Sequence, residues 1–237
     1  MAFPSPFDSV LSGLSVFSFE FISLECVVDD SNHMLSVLAW SAVPLILLSL
    51  NLLAFVVRLA TKMRTKEVLI QQHVYIFLML SYLVLPPVSR KQFQALDCVE
   101  VAGDSYLRVD TSIRCESQTY LSFKALNSLL VAAYMSLPFI WFVLLWKERS
   151  SGGAKSGASS PLFYLFGPYR SKYYWCECAE MLRRVMFVGA LPLVSTRSAR
   201  RAAFGIVCAL ISLVLYREAE PFTRPSNNTL SSVAQFV

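Results

Sequence analysis

Of 237 residues, 55% are hydrophobic and only 16% charged, with a mean hydropathy of +0.52, whereas a soluble domain carries about 25% charged residues. This composition excludes an ordinary soluble domain and points to an all-α integral membrane protein. The net charge of +5 does not point to nucleic acid, because Lys and Arg fall in short clusters beside apolar runs, where they set topology.

Residues 1–33 contain no Lys or Arg but carry Asp8, Glu20, Glu25, Asp29 and Asp30, which places the N-terminus on the external or lumenal side. The segment lacks the basic start of a signal peptide and is not read as a cleaved leader. Phe17, Phe19 and Phe21 alternate with polar residues at the strand period, and Cys26 closes that strand.

Residues 34–146 hold three predicted crossings. The first, Met34 to Val57, is uncharged and long enough for a bilayer. Arg58, Lys62, Arg64 and Lys66 then mark the cytoplasmic side. The second runs from Val68 to Val88, with Pro86-Pro87 at its outer end. The loop 89–124 is external. Within it CVEVAGDSYLRVD reads as a hairpin, with Ala102-Gly103-Asp104-Ser105 at the bend. Cys98 and Cys115 flank this hairpin on the oxidising side, and a disulfide between them is expected to brace it. Two free thiols, or pairing of one of them with Cys26, are the alternatives. The third crossing, Ala125 to Trp146, ends on Lys147, Glu148 and Arg149, again a cytoplasmic signature.

Residues 147–161 form a flexible cytoplasmic linker. Residues 162–216 comprise an aromatic and charged entry followed by a fourth and a fifth helix. Tyr164, Tyr169, Tyr173, Tyr174 and Trp175 precede Glu177, Glu180, Arg183 and Arg184, which lead into the apolar run Val185 to Val194. Amphipathic rings collect at membrane–water boundaries. A short external turn with Arg197, Arg200 and Arg201 follows and goes against the positive-inside rule. The fifth helix, Ala202 to Tyr216, is short for a crossing. A re-entrant hairpin of the fourth and fifth helices is the alternative. Residues 217–237 are a cytoplasmic tail, so the sequon at Asn227 is expected to stay unglycosylated. The resulting architecture is a bundle of about five transmembrane helices with a small external disulfide-braced β hairpin.

The candidate functional surface is the charge stripe Glu177, Glu180, Arg183 and Arg184, flanked by the interfacial aromatics Tyr169, Tyr173, Tyr174 and Trp175. On a helix Glu180 reaches Arg183 and Arg184 at three and four residues. An ionised residue at mid-bilayer costs about 2.5–3.5 kcal/mol, while each apolar residue contributes about 0.3–0.6 kcal/mol to insertion. The stripe therefore either stays in the headgroup layer as a snorkelling anchor or pairs its charges inside the bundle.

Other residues carry less. Cys176 and Cys178 lack the further ligands a zinc site needs, and could be palmitoylated or inert. Asn51 is expected to hydrogen-bond a neighbouring helix, and His33 and His73 are read as structural. Pro44, Pro138 and Pro192 can bend their helices. Arg197, Arg200 and Arg201 have the spacing of a voltage sensor but lie at a helix end. No catalytic residues, cofactor or metal are expected, and the chain is not read as an enzyme.

One resemblance rests on the phenylalanine strand ending at Cys26, on Phe93, Cys98, Gly103, Leu107, Asp110 and Cys115, and on Tyr169, Trp175, Glu177, Glu180, Arg183 and Arg184. Tyr216, Pro221 and Asn227 follow in the same order. This order resembles the multi-pass membrane region of large cysteine-rich surface proteins of algae and other protists, itself distantly similar to transient-receptor-potential-like and polycystin-type channels. The resemblance implies a fragment or shortened member of a channel-like or transport protein, in a plasma membrane or endomembrane. The alternative is a non-catalytic, receptor-like anchor for an extracellular cysteine-rich assembly. The partners implied are the lipid bilayer, further helices of the same protein or a homo-oligomer, and an extracellular protein.

Overall fold

The computed structural model describes residues 33–61, 65–150, 162–195 and 198–234. The expected N-terminal strand with Cys26, the glycine- and serine-rich part of the linker, and Arg197 lie outside the described residues.

Three long helices come first: α1 (His33–Ala60), α2 (Lys66–Gln94) and, after a hairpin, α3 (Gln118–Ser150). The hairpin pairs β1 (Cys98–Val101) with β2 (Asp104–Leu107), with Cys98 opposite Leu107 and Val101 opposite Asp104. Its bend is tighter than the sequence suggests. Only Ala102 and Gly103 lie between the strands, with φ of 55° and 95°. Positive φ at both central residues suits the right-handed twist of a two-residue hairpin, and glycine adopts it without strain.

After the linker come a single turn α4 (Phe163–Phe166), then α5 (Cys176–Val185), a π turn over Met186–Ala190 and a 3-10 turn over Leu191–Leu193. The chain ends with α6 (Ser198–Ala219) and α7 (Pro225–Ala234).

Among the described residues, four helices rather than five are long and apolar enough to cross a membrane: α1, α2, α3 and α6. The expected fourth helix is broken. Pro192 has no N–H to donate back along the helix, and Gly189 lies against the ring of Phe93 on α2, so the segment changes its winding where it meets its neighbour. The fifth helix is longer than expected. Arg200 and Arg201 belong to its first turn rather than to a loop, and Arg201 is held by Asp97. The second helix also runs on, through Pro86-Pro87 to Gln94. Burial of Val88, Ser89 and Gln92 beyond the prolines keeps those turns in place.

Helix α2 is the hub, meeting α1, α3, α5 and the π turn. One apolar cluster joins Leu78, Leu85, Trp141, Leu145, Met181 and Val185 from α2, α3 and α5. A second, under the hairpin, gathers Val37, Ala95, Leu107, Ile113, Tyr120 and Phe123. The outward faces of α1 and α6 are apolar and exposed, with Leu52 at 62% and Leu215 at 62%.

A side chain at Gly189 has no room beside Phe93. Gly189→Val is expected to cost about 1–3 kcal/mol through overpacking, read as a lower midpoint of thermal unfolding in detergent. Adding Phe93→Ala should recover part of it, and equal midpoints for the single and double variants would count against the clash.

Candidate functional site

Helix α5 carries the predicted charge stripe, and the structure divides it. Glu180 is 9% exposed and is the centre. Arg183 grips it with two bonds, Nε to Oε2 at 2.9 Å and Nη2 to Oε1 at 2.6 Å. Arg184 adds Nε to Oε1 at 3.1 Å. The spacings of three and four residues bring both arginines over the carboxylate from one helix face. Across the interface, the hydroxyl of Tyr216 on α6 donates to Glu180 Oε2 at 2.8 Å. Arg184 reaches the other way and donates Nη1 to the hydroxyl of Tyr82 on α2 at 3.0 Å. One carboxylate thus ties α5 to α6, and through Arg184 to α2.

Two arginines on one glutamate leave an excess positive charge. Aromatic faces take up part of it: Arg183 lies 5.5 Å from the ring centroid of Phe187, and Arg184 5.8 Å from that of Tyr82. Such contacts stabilise a partly desolvated guanidinium.

Glu177 does not join this cluster. Its Oε2 accepts from the hydroxyl of Tyr169 at 2.6 Å. Burial, and next the Glu177 carboxylate, push the Tyr169 phenol well above its ordinary range, so it remains the donor. The Tyr169 ring stacks on Phe222 at 4.8 Å. The two residues also form a β-bridge, flanked by Arg170 N donating to the Pro221 carbonyl at 2.8 Å and Thr223 N to the Pro168 carbonyl at 3.0 Å. The segment after α6 is thereby tied back to the entry of α5.

The remaining aromatics separate. Tyr174 stacks on Phe142 of α3 at 6.3 Å and carries the Arg149 guanidinium over its ring at 4.7 Å. Arg149 also donates to the Ser171 carbonyl. Tyr173 lies beside Lys172, and Trp175 is 42% exposed. A cleft of about 420 Å³ between α5 and α6 is lined by Trp175, Ala179, Glu180, Arg183, Leu215 and Tyr216. Cys176 and Cys178 are both buried free thiols. Cys178 packs in the α2–α3–α5 core and Cys176 lies 3.7 Å from the Tyr216 hydroxyl, so neither is presented at the surface.

At the other end of α6 stands a second paired carboxylate. Asp97, just before the hairpin, accepts from Arg108 Nε at 2.7 Å and pairs with Arg201 Nη2 at 3.5 Å. Arg201 also donates to the Ser195 carbonyl. Arg201 thus shares the single carboxylate of Asp97 with Arg108, as Arg183 and Arg184 share Glu180. Cys98 and Cys115 form the disulfide that braces this end, and Cys98 Sγ lies 3.3 Å from the Tyr120 hydroxyl. Asp110 accepts from Ser112 through both its hydroxyl, at 2.6 Å, and its amide, at 3.1 Å. The Ser112 hydroxyl foremost holds the Asp110 carboxyl below the ordinary aspartate range. The turn it closes is therefore favoured at pH values above that range and loosens as pH falls through the lowered value. Ser112→Ala should move the Asp110 titration upward in a carbon-detected NMR pH series, and an unmoved titration would refute the assignment.

Sequence reasoning brought Glu180, Arg183 and Arg184 together but missed Tyr82 and Asp97. A tyrosine inside the uncharged run Val68 to Ser89, and an aspartate beside a bridging cysteine, were the available signals. Asn51 meets His73 of α2, with its Oδ1 at 2.7 Å from Nδ1 and its Nδ2 donating to the His73 carbonyl at 3.2 Å. Comparison with protein-family models, with curated proteins and with solved structures finds no match for this chain.

Proposed function

We propose that this chain is a multi-pass membrane module of a channel-like or transport protein, with the Glu180 cluster as the coupling element between its broken helix and α6. The observation that carries the reading is Glu180 itself, a buried carboxylate that takes bonds from its own helix and from Tyr216 of another. Charged groups inside an apolar bundle are costly and tend to mark functional positions. The interruption beyond α5 supports the same reading, because π turns and broken helices recur where membrane proteins move or bind. The resemblance to protist multi-pass regions adds to it. In this topology the N-terminus and the hairpin are external, the α5 entry and the tail are cytoplasmic, and the exposed faces of α1 and α6 meet lipid or further helices.

Glu180→Gln tests the proposal, since it keeps the acceptor oxygen for Tyr216 while removing the charge. The expected result is altered conductance or flux in reconstituted membranes at unchanged abundance. A fall in abundance alone would make the cluster an assembly device.

That outcome would favour a second reading, a receptor-like anchor for an extracellular partner. The braced hairpin is the observation on its side. It predicts partner binding at the hairpin that is lost on reduction. No glycan is expected at Asn227 in this topology; a glycan there would mean that the broken segment or α6 does not cross, and would favour the anchor over the channel-like module.

A further inference from the structure

Away from the Glu180 cluster, α1, α2 and α3 share another polar contact inside the bundle. Ser41, Ser89, Gln92 and Asn127 are all fully shielded from solvent. Gln92 Nε2 donates to Ser41 Oγ at 3.0 Å, and Asn127 Nδ2 donates to the Gln92 carbonyl at 2.9 Å. The Tyr134 hydroxyl donates to the Ser41 carbonyl at 2.7 Å, and Ser41 Oγ donates to the Val37 carbonyl at 2.8 Å. These bonds leave three oxygens over. Gln92 Oε1, Asn127 Oδ1 and Ser89 Oγ have no hydrogen-bond partner among the described residues.

Turning the amides does not help. Reversed, Asn127 would set its oxygen against the Gln92 carbonyl oxygen, and reversed Gln92 would accept from Ser41 only by leaving its own nitrogen unserved. Buried polar atoms are nearly always paired with protein or with ordered water.

We infer that a bound water molecule bridges α2 and α3 here, donating to Gln92 Oε1 and Asn127 Oδ1 and accepting from the Ser89 hydroxyl. Ser89 and Gln92 lie one turn apart on the same face of α2, and Asn127 is bonded to the carbonyl of Gln92 itself. The chemistry balances, because one water offers two protons to two amide oxygens and a lone pair to one hydroxyl. A cation suits the site less well. The ladder contains no carboxylate, and the charged residues nearest along α2 and α3 are Arg90, Lys91 and Lys124, all positive. A desolvated cation without a counter-charge is strongly disfavoured. The inference does not rest on the proposed function, since the chain itself shields these atoms.

Radiolytic hydroxyl labelling of the full-length protein in lipid nanodiscs tests it, because water activated in place modifies the side chains beside it. Tyr134 is 2% exposed and shares Ser41 with Gln92, while Met181, 1% exposed, lies in the apolar core. Relative to intrinsic reactivity, Tyr134 should label several-fold faster than Met181. Ser89→Ala and Asn127→Leu should each bring Tyr134 down to the Met181 level. If Asn127→Leu does not fold, Ser89→Ala, which deletes a single oxygen, decides. A wild-type Tyr134 no faster than Met181, or labelling unchanged in Ser89→Ala, would overturn the inference. Replacing sodium by choline should leave the labelling unaltered, and a sodium-dependent change would assign the site to a cation instead.

Discussion

Alanine at Glu180 is expected to lower the unfolding free energy by about 3–5 kcal/mol, the usual cost of removing one partner from a buried ion pair. The loss is large because the change strands three groups at once. Arg183 and Arg184 are left facing each other without a counter-charge, and the Tyr216 hydroxyl loses its acceptor. A surface pair of the same geometry would contribute about 1 kcal/mol at most, so the size of the effect separates a buried cluster from a snorkelling anchor. Thermal or denaturant unfolding in detergent reads it. A loss below about 1 kcal/mol would return the cluster to the headgroup layer. A double-mutant cycle with Tyr216→Phe isolates the bond between α5 and α6. In a Glu180→Ala background Tyr216→Phe should cost almost nothing, because the hydroxyl then has no carboxylate to serve.

Replacing Cys98 and Cys115 by serine is expected to cost about 3 kcal/mol, as the entropy of a loop of this length suggests. The two cysteines are 17 positions apart, and the segment between them holds the whole hairpin. The disulfide sits over the cluster of Val37, Ala95, Leu107, Ile113 and Tyr120, so its loss also loosens the seat on which Asp97 meets Arg201. Faster limited proteolysis between 98 and 115, with a lower unfolding midpoint, is the expected pair of results. Reductant should reproduce both in the wild type and neither in the double variant. Unchanged proteolysis would mean that the apolar seat alone holds the hairpin.

Much of the scaffold was legible because long uncharged runs bounded by Lys and Arg clusters have one physical reading. Helices α1, α2 and α3 contain the expected runs, although each extends past them. Tertiary packing keeps the end turns wound where composition alone suggests a loop, as with Val88 and Gln92 beyond Pro86-Pro87. The hairpin and its bridge followed from alternation, a glycine bend and two cysteines on one side. The broken segment after α5 was not legible. Hydropathy counts apolar residues but does not report that Gly189 lies against Phe93. In the candidate site, local spacing gave Glu180 with Arg183 and Arg184. The partners Tyr216 and Tyr82 lie 36 and 102 positions away from those residues in sequence, and no periodicity within α5 encodes them. The bond from Tyr169 to Glu177 was hidden for the same reason, since Tyr169 stands outside the helix.

Helix α6 is fastened at its two ends, by Arg201 to Asp97 under the hairpin and by Tyr216 to Glu180 beside α5, with none of the apolar window between them buried. Mechanically it is a strut about 33 Å long, at 1.5 Å per residue, loaded through pins in series. Through these pins α6 links the Asp97 end, beside the hairpin, to Glu180. The two pins differ in kind, an ion pair of Asp97 with Arg201 at 3.5 Å and a 2.8 Å hydrogen bond from Tyr216 to Glu180. Loss of either pin would leave α6 attached to the rest of the bundle through the other.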